Sequence, residues 1–72
     1  DNMKKIKLYI KGMHCKSCEM LLEDAFEDLG VVSSKIDFAK GQAIVEFDET
    51  KVSLEQLKKA VVDEDYTVTK VE

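Results

Sequence analysis

Gly12-Met13-His14-Cys15-Lys16-Ser17-Cys18 places both cysteines of a 72-residue chain three positions apart, directly after a strand-like run. On an extended strand two side chains at that spacing diverge. With Cys15 in a loop and Cys18 in the first turn of a helix, both sulfurs can face one point. That point lies beside the free N–H groups and the positive end of the helix dipole. The same surroundings lower a thiol's pKa and favour the thiolate that binds metals.

Thiolates suit Cu(I), Zn(II) and iron–sulfur clusters. Structural zinc takes four ligands and iron–sulfur clusters usually take four cysteines. Here only Cys15, Cys18 and the lone His14 are good soft or borderline donors. Cu(I), content with two sulfurs, fits best, and a site with so few ligands stays open to attack by an incoming thiolate.

The elements that must position these residues follow from periodicity. Ile6, Leu8 and Ile10 alternate with Lys7, Tyr9 and Lys11, the pattern of a half-buried strand that stops at Gly12. Lys16 to Leu29 switch to helical spacing. Cys18, Leu22, Ala25, Phe26 and Leu29 form the apolar stripe, Glu19, Glu23, Glu27 and Asp28 are expected away from it, and Gly30 is the stop.

Two strands follow, with Val32, Ile36 and Phe38 marking the first and Ala43, Val45 and Phe47 the second. They form a hairpin joined through Ala39-Lys40-Gly41-Gln42. Ser53 and Gln56 make a capping box before a second helix striped by Leu54, Leu57, Ala60 and Val61. Tyr66 to Val71 alternate as a last short strand. The expected class is α+β, a ferredoxin-like βαββαβ order with a four-stranded antiparallel sheet and both helices on one face.

Composition narrows the function. Fifteen acidic against eleven basic residues give a net charge of −4, and Lys4-Lys5-Lys7 is the only dense basic spot, so nucleic-acid binding has little electrostatic support. With 44% hydrophobic residues the chain can form one core, and residues 1–72 read as a single domain. No apolar run approaches the roughly 18 residues of a bilayer span, and no signal peptide is evident, so the sequence reads as soluble. The Asp1 start reads as a processed, tagged or excised chain, with Met3 a candidate natural start. Two close cysteines make no secreted disulfide scaffold, and free thiols are at home in a reducing cytosol; the expected location is cytoplasmic.

Motif and element order together resemble the heavy-metal-associated domain, found as free copper chaperones and as metal-binding modules of heavy-metal-transporting P-type ATPases. The likeness covers nearly the whole chain. It runs from Gly12-Met13-His14-Cys15-Lys16-Ser17-Cys18 through Gly30-Val31, Ile36-Asp37-Phe38, Ala43-Ile44-Val45-Glu46-Phe47-Asp48 and Tyr66. The resemblance implies Cys15 and Cys18 as Cu(I) ligands, Met13 packed beneath the loop without ligating, and Tyr66 at the aromatic position that bacterial-type members place near the site. Asp65 departs from the family pattern by standing where a glycine commonly precedes that tyrosine, and Ser34 by replacing an apolar strand residue.

The expected function is a non-catalytic carrier that relays Cu(I) to a cognate copper-carrying domain, a chaperone or a P-type ATPase, docking near the metal loop. The carrier is expected to be a monomer, with a copper-bridged dimer as the concentrated form. A Zn(II), Cd(II) or Hg(II) carrier of the same fold is the first alternative, with His14 as the added donor for zinc. A dithiol oxidoreductase is the second. Against the latter, thioredoxin-like folds are longer and rely on a cis-proline, whereas this chain has no proline and no tryptophan. Lys16 stands where it could offset the charge of a dithiolate–copper complex. The acidic helix residues Glu19, Glu23, Asp24, Glu27 and Asp28 could steer a basic partner toward the loop.

Overall fold

The structure, a computed structural model, describes residues 2–72; Asp1, the first residue of the expected 1–72 domain, lies outside them. Its elements run β1 (Met3–Lys11), α1 (Lys16–Leu29), β2 (Ser33–Asp37), β3 (Gln42–Asp48), α2 (Leu54–Asp63) and β4 (Thr67–Val71), the expected βαββαβ order. All strand pairs are antiparallel, in the spatial order β2-β3-β1-β4.

β1 and β3 hold the two central places of the sheet, and each buries alternate residues. Ile6, Leu8 and Ile10 are buried, and they sit across from Val45, Ala43 and, on β4, Val71 and Val68. The register gives one apolar face, since paired residues of an antiparallel ladder point the same way. Leu22 and Phe26 of α1 and Leu57, Ala60 and Val61 of α2 cover that face. Phe26, Phe47, Leu8 and Leu22 are the largest fully buried side chains.

Local signals end the helices where the sequence says they should. Gly30 has φ 97°, and its N–H reaches the Glu27 carbonyl at 2.9 Å while the next N–H, of Val31, reaches Phe26 at 3.4 Å. That pair of bonds is a Schellman stop. At the start of α2 the Ser53 side chain accepts from the Gln56 N–H at 3.2 Å, and the Gln56 side chain accepts from the Ser53 N–H at 2.8 Å.

Four expectations on burial and extent are corrected. β1 begins at Met3, three residues before the first inward side chain. Val32 is 61% exposed, because the chain enters β2 only at Ser33. Phe38 packs on the core from the turn after β2 rather than from the strand. Glu19 is buried at 8% exposure, on the same stripe as Leu22 and Phe26.

Two of the positive-φ positions, Gly41 and Asp65, have opposite consequences. Gly41 sits at φ 65°, where a β-carbon would stand 2.8 Å from the Ile10 carbonyl oxygen, so only glycine fits the turn. Asp65, at φ 68°, holds a left-handed conformation that glycine adopts more readily. The Gly41→Ala variant is expected to lose about 2 kcal/mol and Asp65→Gly to gain up to about 1 kcal/mol, read as opposite shifts of the urea midpoint at unchanged slope.

Candidate metal site

The site forms where β1 ends and α1 begins. Gly12 turns the chain at φ 113°, Met13 drops into the core at 7% exposure, and His14 and Cys15 remain exposed. Cys15 is the N-cap of α1, extended at φ −154°, and its side chain makes no capping bond. The sulfur is therefore left to face outward from the helix start. Cys18, in the first turn, is half-buried, and its N–H reaches the Cys15 carbonyl at 3.1 Å. The two Sγ atoms are 3.1 Å apart, both as free thiols. The sequence placed Cys15 before the helix and Cys18 in its first turn, and the structure does the same.

Hydrogen bonds to its sulfur bring the Cys18 thiol down to about 7: the Tyr66 hydroxyl contributes most, then the His14 main chain and the Cys15 thiol. Each stabilises the charged form. Reciprocally, the Cys18 sulfur and burial push the Tyr66 phenol up to about 12, so it stays a neutral donor. Gly12 permits this approach: a β-carbon there would stand 3.1 Å from Tyr66 Cδ1. Tyr66, expected to open the last strand, instead stands one residue before β4, in the segment that faces the sulfurs.

Lys16 and Glu19 behave differently from the expectation. Lys16 Nζ lies 3.0 Å from Glu19 Oε1, so its charge is committed to a carboxylate. Glu19 Oε2 accepts the Phe38 N–H at 2.8 Å. That backbone donor, then Lys16, holds the Glu19 carboxyl below its ordinary range. The rest of the acidic set, Glu23, Asp24, Glu27 and Asp28, is exposed along α1. The charge pattern hid Glu19's role, yet its spacing to Leu22 and Phe26 carried the signal, three and seven residues on.

Among the described residues no cluster of three or more histidine, cysteine or carboxylate side chains forms a candidate metal cage. The exposed sulfur pair is what an arriving soft ion would meet. No helix of the structure is long and apolar enough to cross a membrane.

The family model for the heavy-metal-associated domain matches residues 7–67. The chain is 42% identical over 60 residues to the copper chaperone CopZ of Staphylococcus haemolyticus, covering 82% of this chain and 88% of that protein. Its fold superposes on the CopZ metallochaperone with TM-score 0.88 at 31% identity, over 92% of this chain and all of the other. It also superposes on the N-terminal domain of a potential copper-translocating P-type ATPase from Bacillus subtilis in the Cu(I)-loaded state. There the TM-score is 0.86 at 27% identity, over 92% of this chain and 84% of that one. On the motif, the fold and these matches together, the chain belongs to the heavy-metal-associated domain family.

Proposed function

We propose that this chain is a Cu(I) carrier in which Cys15 and Cys18 hold the ion and pass it by ligand exchange to a partner of the same kind. The observation that carries the proposal is the pair of free thiols 3.1 Å apart at an exposed loop-to-helix junction. Copper chaperones and a Cu(I)-loaded ATPase domain among its relatives support the same cargo.

The exchange needs no catalysis by the chain. A partner thiolate attacks the two-coordinate ion, a three-coordinate intermediate forms, and one sulfur of this domain departs as the partner's second sulfur binds. Copper keeps its oxidation state throughout, and only Cu–S bonds are made and broken. With Cys18 near 7, about half of that thiol is already thiolate at neutral pH, so binding at that sulfur displaces less than a full proton. The Tyr66 hydroxyl, donating to the Cys18 sulfur, favours the charged sulfur without becoming charged itself. The working location is the reducing cytoplasm, where both thiols stay free, and the partner is a cognate copper-carrying domain that meets the exposed loop. The carrier works as a monomer, and two copies share copper through four sulfurs only when concentrated.

Titration of the reduced chain with Cu(I) against a competing chelator is expected to show one tight equivalent. Cys15→Ser or Cys18→Ser should weaken it by about 10²-fold or more. A Zn(II), Cd(II) or Hg(II) equivalent held tighter relative to its own competitor would transfer the proposal to the other metals, and turnover of a disulfide substrate would replace it with an oxidoreductase.

The pH dependence has a definite sign. A thiol lowered to about 7 is thiolate above that value, so the Cys18 contribution to Cu(I) affinity is expected to be present above pH 7 and to be lost below it as protons compete. In Tyr66→Phe the alkylation midpoint of Cys18 should move up toward the ordinary thiol range of about 8.5. The variant then binds Cu(I) more weakly at pH 7 and converges on the parent at high pH. An unmoved midpoint would remove Tyr66 from the site.

A further inference from the structure

Both feet of the metal loop end on one turn. On the near side the Ile10 N–H, two residues before Gly12, donates to the Gly41 carbonyl at 2.7 Å. On the far side Glu19, the residue directly after Cys18, accepts the Phe38 N–H at 2.8 Å. Phe38 and Gly41 are the first and last residues of the same β2–β3 turn, which closes on itself through the Gly41 N–H to the Phe38 carbonyl at 3.3 Å. The stretch from Ile10 to Glu19, with both cysteines in it, is thus a span pinned at each end to a single short turn.

A carboxylate buried at 8% exposure is costly unless each oxygen is matched. Both are matched: Oε2 takes the Phe38 N–H, and Oε1 faces Lys16 Nζ at 3.0 Å. The arrangement makes sense if the carboxylate fastens the first turn of α1 to the hairpin and Lys16 offsets its charge.

We propose that Glu19 is a positioning residue for the sulfur pair, acting through the Phe38–Gly41 turn as a brace. It fixes Cys18 relative to Cys15 by tying the first turn of α1 to the turn that also holds Ile10. The inference rests on the Cu(I)-carrier proposal for its copper readout and on the fold alone for the bond itself.

The test uses the full chain, reduced and loaded with one equivalent of Cu(I), and follows transfer of the ion to a small bidentate Cu(I) chelator. Glu19→Met fills the buried space without an acceptor oxygen, and Glu19→Gln keeps an amide oxygen for the Phe38 N–H. Ser53→Ala removes the cap of α2 and serves as a control for lowered stability away from the loop. Glu19→Met is expected to release copper about tenfold faster than the parent, with Glu19→Gln and Ser53→Ala within about twofold of it.

Without metal, amide exchange at Phe38 and Cys18 should quicken in Glu19→Met relative to the core amide of Leu8, and recover in Glu19→Gln. Parent-like release and exchange in Glu19→Met would overturn the inference, as would equal acceleration in Ser53→Ala. Failure of the parent to hold Cu(I) would overturn the carrier proposal instead, leaving the exchange experiment to decide the brace.

Discussion

Two thiols held 3.1 Å apart cannot both ionise freely, because the second negative charge would form against the first. The rest of the structure is arranged around that repulsion. The Tyr66 hydroxyl and the His14 main chain stabilise one thiolate, at Cys18, while the two sulfurs share a hydrogen bond. On the carrier proposal, a soft cation between the sulfurs would relieve what remains. The sulfur pair is thus set by geometry and local hydrogen bonds.

That geometry needs a strand that stops abruptly, a helix that starts at once, and a scaffold stiff enough to fix both. The apolar face of β1, set between β3 and β4, supplies the stiffness. Gly12 supplies the stop, and the same missing side chain admits the Tyr66 ring from the far end of the chain. A single glycine therefore serves both the loop's path and its electrostatics. The β2–β3 turn then fastens both sides of the loop, through Ile10 and Glu19.

Most of the fold was legible in the sequence because its signals are local. Strict alternation in Ile6-Leu8-Ile10, the Ser53/Gln56 capping box and the Gly30 stop each act over a few residues, and each is realised at its expected place. The cysteine pair was legible for the same reason. Glu19 was missed because residue type was weighed above spacing: an acid was assigned to water although it shares the stripe of Leu22 and Phe26. Its partner, the Phe38 N–H, lies nineteen residues away, and no short-range pattern announces such a bond. Asp65 shows the reverse case. Its departure from the family pattern was visible, and Asp65 here holds a left-handed conformation at φ 68°, a strain that a glycine in its place would not carry. Val32 is apolar yet exposed because the strand begins one residue later than its hydrophobicity suggested.

Cys15 occupies the helix N-cap, a seat that serine, threonine, aspartate or asparagine would use to fasten the helix by about 1 kcal/mol. Its sulfur declines that task and looks outward. The domain thereby gives up firmness in the first turn of α1 for a sulfur left open at its tip, and, on the carrier proposal, a serine in the same seat would make a sturdier molecule with a weaker grip on its cargo.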